Sequence, residues 1–277
     1  MDSYRHFSMS ALSALIALRG YLKIHPDADS ATAAITICRS NVDFAGADFE
    51  AALDLHGTLE PHIVFDNIQA DLRTVLKLLI LHHRPWWMRA VPYGRDRLAS
   101  AIGRGADVGR NELQCLRSAG LFDEPPPDDA VAWWDELAHL VRASQDEQRL
   151  LQGRHAERLS LAYERNRLQG LGIEDEPRWI SIEDNGAGYD IQSFDAGTHA
   201  PVNKLIEVKS SMQNPPKIFL TRNEWEAAVR YGDRYVFHIW EMSSCTLTEC
   251  TVEEISKSIP ADCGYGYWKE VEIHFER

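Results

Sequence analysis

The chain lacks any apolar run long enough to cross a bilayer; its best, VLKLLILHH from Val75, is short and interrupted. Its first residues, MDSYRHFSMS, lack the basic region followed by an apolar core of a secretory leader, so none is expected. Cysteine is sparse: five residues, Cys38, Cys115, Cys245, Cys250 and Cys263, odd in number and scattered. That usage fits a reducing cytoplasm better than a disulfide framework. Cys245 and Cys250 have no second pair at zinc spacing, which argues against a zinc site. No internal repeat is visible. Positive charge is also short, with 29 Lys and Arg against 42 Asp and Glu, a net charge of −13. Such a balance argues against indiscriminate coating of DNA. It does not exclude a nuclease, because acids that hold a metal add to the count and basic residues can cluster.

They do cluster. From Arg84 to Leu121 seven arginines face three acids, Asp96, Asp107 and Glu112, a local balance of 7 − 3 = +4. From Phe122 to Leu150 the sign reverses, with eight acids against Arg142 and Arg149. A hydrophobic content of 44% and a charged content of 26% are ordinary for a soluble globular protein. At 277 residues there is room for two modest domains, or one large one, with a real core in each case.

The pattern along the chain gives an α/β protein in three stretches. Residues 1–124 read as a helical N-terminal region, 125–152 as a connecting helix and 153–277 as a mixed-sheet domain with flanking helices. In the first, LSALIALRGYLK, SATAAITICRS, ADFEAALDLHG and DNIQADLRTVLKLLILHH carry apolar residues at helical spacing. Ser30, Asp48 and Asp66 stand near expected helix starts, and Gly57 follows an expected end. A plain helical bundle is favoured over a helix-turn-helix unit, since these helices carry few basic or amide side chains. Pro85, Pro92 and several glycines then break the arginine-rich segment into two short helices. Trp86 and Trp87 would seal a seam in the core or, with their arginines, stack on bases. Arg95, Arg97 and Arg104 are the candidate phosphate contacts. After Pro125–Pro127, DDAVAWWDELAHLVRASQDEQRLLQ is an amphipathic helix capped by Asp128 or Asp129, with Trp133 and Trp134 inward.

The organising stretch is GYDIQSFDAGTHAPVNKLIEVKSS, Gly188 to Ser211. YDIQSF and NKLIEVKS read as strands bounded by Gly and Pro. RWISIED is expected as the strand before them, with the Asn185-Gly186 pair making a tight hairpin. Side chains alternate along a strand, so Glu207 and Lys209 share one face with Val208 behind them. If the two strands pair, Asp190 lies beside Glu207. Carboxylates so placed suit Mg²⁺ or Mn²⁺, and a lysine beside the ion can position or deprotonate a water. Thr221 and Glu224 form a capping box opening the helix RNEWEAAVRYG, a structural role. The strand DRYVFHIWEM follows in an expected parallel crossover, with LTECTV and KEVEIHFER at the sheet edge. His199, His238, Glu183 and Asp184 take core or surface roles, and Trp225 and Trp240 pack between helix and sheet.

Asp190…Glu207-Val208-Lys209 resembles the D…(D/E)xK site of the restriction-endonuclease-like, PD-(D/E)XK nuclease superfamily. With GRHAERLSLAYERNRL, FLTRNEWEAA and DRYVFHIWEM, the stretch from Gly153 to Arg277 resembles the nuclease-like domain at the C-terminus of plant NO VEIN proteins and of many bacterial proteins. The proline that often precedes the first acid is Tyr189 here, and GYDI is the usual form in the NO VEIN-like group. The resemblance implies a metal-dependent endonuclease acting on nucleic acid, DNA first, in bacterial defence against foreign or viral DNA. It implies Asp190, Glu207 and the Val208 carbonyl as metal ligands and Lys209 as the catalytic lysine. It also implies Glu157, in GRHAE, as a further site acid; the other reading pairs Glu157 with Arg154 or Arg158 on the helix surface. Defence-system proteins are expected partners, and a homodimer is one way to cut both strands. The rival is a catalytically inactive nuclease-fold module for nucleic-acid binding or assembly.

Overall fold

The computed structural model describes residues 3–59, 67–104, 109–184 and 186–275. The chain divides into two compact units, Met1–Gln145 and Asp146–Arg277. The first is helical and the second holds a mixed five-stranded sheet, an α/β architecture.

The helical unit contains α1 (Ser3–His6), α2 (Met9–Ile24), α3 (Ser30–Ser40), α4 (Phe49–Thr58), α5 (Ile68–His83), a 3₁₀ stretch Trp86–Tyr93, α6 (Arg95–Gly103), α7 (Gly109–Ser118) and the start of α8 (Asp128–Leu171). Side-chain caps start α2 to α5: Ser8, Asp29, Asp48 and Asn67 each accept an orphan N–H of the first turn. Asp29, rather than Ser30, therefore caps α3. Asp66 lies outside the described residues, as does Asn185. Leu12, Leu15, Leu72, Leu76, Ile80, Leu98 and Ile102 are fully buried in one core. Each such leucine or isoleucine contributes about 1.5–3 kcal/mol by leaving water. Trp87 joins them and donates its indole N–H to buried Glu112 at 2.9 Å, whereas Trp86 stays exposed. Trp133 and Trp134 pack edge to face at 4.9 Å, with their indoles on the carbonyls of Arg73 and Leu121.

α8 runs without interruption through Gly153, so no helix begins there. Glu157 is consequently far from a helix N-terminus and gains nothing from the helix dipole, which acts within the first turn. In the second unit β1 (Arg178–Trp179), β2 (Ile191–Asp195), β3 (Val202–Ser211), β5 (Tyr235–Glu241) and β6 (Thr246–Thr251) form the sheet in the order β1-β2-β3-β5-β6. The β3–β5 pair is parallel and the others are antiparallel. β4 (Lys217–Thr221) and β7 (Glu270–His274) make a separate two-stranded sheet. KEVEIHFER thus pairs with β4 and not with the edge of the main sheet. RWISIED is a strand for only two residues, then the short helix α9 (Ile180–Glu183), because Asp184 N–H closes a turn on the Ile180 carbonyl at 2.8 Å. α10 (Arg222–Tyr231) precedes β5, and α11 (Val252–Ser256) follows β6.

β3 is central and covered on both faces. Ile206 and Val208 pack with Ala156, Leu161, Ile191 and Trp240, while Leu205 packs with Ala227, Ala228, Phe237 and Ile239. A strand buried on both sides ordinarily reads as a continuous apolar run. Lys204, Glu207 and Lys209 interrupt that run.

Candidate active site

Ile191 pairs with Ile206, and the Asp190 N–H continues the ladder onto the Ile206 carbonyl at 2.9 Å. Asp190 is thereby brought opposite Glu207 at the end of β2. One carboxylate oxygen, Oδ2, accepts the Val208 N–H at 2.8 Å. The N–H and carbonyl of one strand residue leave on the same edge, so the Val208 carbonyl lies on the edge that faces Asp190. Glu207 and Lys209 share the opposite face from Val208, and Lys209 Nζ lies 2.8 Å from Glu207 Oε1. The structure brings Asp190, Glu207 and Lys209 together.

It adds a residue that the sequence explained in another way. Glu224 completes the capping box of α10, its Oε2 accepting the Thr221 N–H at 2.8 Å, and that same oxygen lies 2.7 Å from Lys209 Nζ. The capping motif accounted for a glutamate at this position in full, so no signal was left to mark a second role. Tyr235 was missed for a similar reason. Its ring is core, but its hydroxyl donates to the Gly188 carbonyl at 2.6 Å and approaches Glu207 Oε2 at 3.4 Å. Gly188 itself has φ +80°, and a Cβ there would come within 2.6 Å of Ala227 Cβ, so only glycine lets the Asp190 turn sit this close to α10.

The electrostatics follow from crowding. Burial, then the Glu157 charge, pushes the Asp190 carboxyl up to about 6, against the pull of the Val208 N–H and Lys209. Burial likewise raises Glu207 well above the carboxylate range; Lys209 lowers it, and Asp190 and Glu224 raise it again. Burial works against the charge on Lys209, but Glu207 and Glu224 outweigh it and hold its pKa above that of a free lysine. Glu224 is also opposed by burial, yet Lys209 and the Thr221 backbone keep it low. Three carboxyl groups thus share one ammonium, and it is this shortage of positive charge, with burial, that raises Asp190 and Glu207.

Glu157 is buried and sits to one side. Its Oε2 accepts from Arg154 at 2.8 Å, from the Ser181 hydroxyl at 2.5 Å and from the Trp179 indole. It therefore pairs with Arg154, but buried and not on the helix surface as that reading had it, while standing near enough to Asp190 to repel it. Ile180 and Ser181 in turn donate their N–H groups to the Asp190 carbonyl at 2.7 and 3.1 Å. Glu183 pairs with exposed Arg178, Asp184 caps the Gly186 N–H, and His199 is exposed.

Among the described residues no three His, Cys, Asp or Glu side chains group so as to hold a metal by themselves. Mg²⁺ does not need such a cage: one or two carboxylates, with waters and substrate oxygens, is its usual set. Asp190 and Glu207, crowded and undercompensated, fit that set. A second charged cluster lies near Glu164 of α8. Glu164 is fully buried against Arg167 at 2.6 Å, the Ser193 hydroxyl at 2.5 Å and Lys204 Nζ at 3.2 Å. Lys204 also reaches Glu249 at 2.9 Å, and buried His238 lies 3.6 Å from that carboxylate. This cluster answers the buried Lys204.

Arg97 and Arg104 are exposed on the helical unit, with Arg97 over the Tyr93 ring at 5.9 Å. Arg95 does not join them. Its guanidinium is held by the carbonyl of Asp123 at 3.1 Å and by Glu124 at 2.5 Å. That fixes the turn before α8.

With this geometry in view, comparison with known proteins gives one result. The family model described as Protein NO VEIN, C-terminal matches residues 156–250, from α8 through most of β6 and including every residue of the Asp190 cluster. No curated protein and no solved structure matches the chain. Among the described residues no helix is long and apolar enough to cross a membrane.

Proposed function

We propose that the C-terminal unit is a metal-dependent nuclease of the restriction-endonuclease-like, PD-(D/E)XK class, hydrolysing phosphodiester bonds of DNA. The observation that carries the reading is the meeting of Asp190, Glu207 and Lys209 at the mouth of the β2–β3 pair, with Glu224 as a third carboxyl group beside the one ammonium. Asp190, Glu207 and the Val208 carbonyl would hold Mg²⁺ or Mn²⁺. When bound, such an ion supplies a water of lowered pKa and neutralises charge on the phosphate. Lys209 is held charged by two carboxylates, so it orients the attacking water and offsets phosphate charge rather than removing a proton. Glu224 and Tyr235 keep that pair in place, and Glu157 steadies the Trp179–Ser181 segment on which Asp190 rests. The resemblance to nuclease-like domains found in bacterial proteins makes defence against foreign DNA the proposed setting.

The test is incubation of the purified protein with plasmid, linear and single-stranded DNA, and with RNA, in Mg²⁺ or Mn²⁺. Lys209→Ala run in parallel identifies any contaminating nuclease. Cleavage by the natural chain that is lost in Lys209→Ala supports the reading. Equal cleavage by both, or none on any substrate, favours an inactive module of the same fold.

A further inference from the structure

A pocket of about 430 Å³ opens on the helical unit between the Trp86–Tyr93 stretch and α6. That size lies within the range of small-ligand sites. Trp86 is 51% exposed and Tyr93 65% exposed, whereas Phe7, Trp87 and Trp133 of the same unit are buried. Arg89, Arg97 and Arg104 complete the rim, and among the described residues no acid lines the pocket. Among the described residues none of these three arginines has a carboxylate partner. With 42 acids in the sequence, three guanidinium groups that have no carboxylate partner among the described residues and share one hollow are a local positive site against the overall charge.

Flat aromatic faces beside planar cations match a ligand with a flat ring and attached phosphates. In a duplex the base faces are covered by their neighbours, so stacking on Trp86 and Tyr93 requires a base out of the helix. We propose that this pocket binds an unpaired nucleotide of single-stranded nucleic acid, its base against Trp86 and Tyr93 and its phosphates on Arg89, Arg97 and Arg104. The inference rests on the nuclease reading only in taking a polynucleotide as the ligand.

The experiment uses the full chain carrying Glu207→Gln, in EDTA, so that binding is read without cleavage. Fluorescence anisotropy is measured with a fluorescein-labelled short oligothymidylate and with a labelled duplex of mixed sequence, across a salt series. The single strand is expected to bind more tightly than the duplex. Trp86→Ala is expected to weaken it about tenfold, the scale of one base stacked on an aromatic ring. The Arg97→Gln, Arg104→Gln double variant is expected to make the plot of log affinity against log salt less steep by about 1.4, roughly 0.7 for each phosphate no longer neutralised. Trp86, Arg97 and Arg104 are exposed, and circular dichroism checks that the variants stay folded. Absence of single-strand binding, or affinities and salt slopes unchanged in the variants, overturns the assignment. The outcome is separable from the nuclease reading. Binding that depends on Trp86 and the arginines in a chain that cleaves nothing leaves the pocket standing, and cleavage with binding indifferent to them removes it.

Discussion

Lys209 lies between Glu207 and Glu224, and its position depends on both. A glutamine at 224 keeps the size and one hydrogen-bond acceptor but loses the charge that centres the ammonium. Partners of this kind, one step behind the reacting groups, affect activity by roughly ten- to hundredfold when changed. Glu224→Gln is therefore expected to slow DNA cleavage by that order while leaving the substrate KM close to that of the parent, as kcat and KM measured on one oligonucleotide will show. Glu157 makes a different prediction. Its carboxylate collects three donors and ties α8 to the segment beneath Asp190. Glu157→Gln leaves buried donors short of an acceptor, about 1–3 kcal/mol. It should lower the urea midpoint and the cleavage rate together. A variant that loses stability but cleaves at the parent rate would remove Glu157 from the site. The carboxyl–lysine set itself was legible from Asp190, Glu207 and Lys209. Glu224 was not, because one residue carries two duties and the local duty explained it fully.

At the scale of elements, period and capping made the helices of the first unit readable, and the capping box placed α10 correctly. What the sequence could not display was decided at a distance. KEVEIHFER has the alternation of an edge strand, but its partner is β4, whose residues KIFLT lie between a proline pair and a helix cap. RWISIED alternates only from Ile180 to Glu183, and that part is helical in the structure. α8 runs on through Gly153, since a glycine inside a long helix is tolerated when its neighbours propagate the turn. α8 also carries Glu164, whose carboxyl burial would raise but Arg167, Ser193 and Lys204 hold below its ordinary value. For a depressed carboxylate the stabilisation is present above the unfolded pKa, about 4.3, and is lost as pH falls through the lower folded value. Glu164→Gln should therefore cost about 3 kcal/mol near neutral pH, and its deficit against the parent should shrink at pH 3. Urea midpoints at the two pH values check this; a deficit that does not shrink contradicts the pairing.

For the whole molecule, the pattern along the chain anticipated its α/β character, and among the described residues no helix is long and apolar enough to cross a membrane. The family match covers only the C-terminal part, so the role of the helical unit depends on its own surface, where the unpaired arginines gather beside exposed Trp86 and Tyr93. The central claim concerns the other unit. It is tested most directly by the rate at which Glu207→Gln cleaves DNA in Mg²⁺, compared with the natural chain under identical conditions. The substitution is nearly isosteric, and Glu224 still pairs with Lys209, so the thermal midpoint should move little. The account predicts a fall in cleavage of at least about a hundredfold, the scale of removing one preorganised charged group from a reacting site. A folded Glu207→Gln protein that cleaves at the natural rate would contradict it.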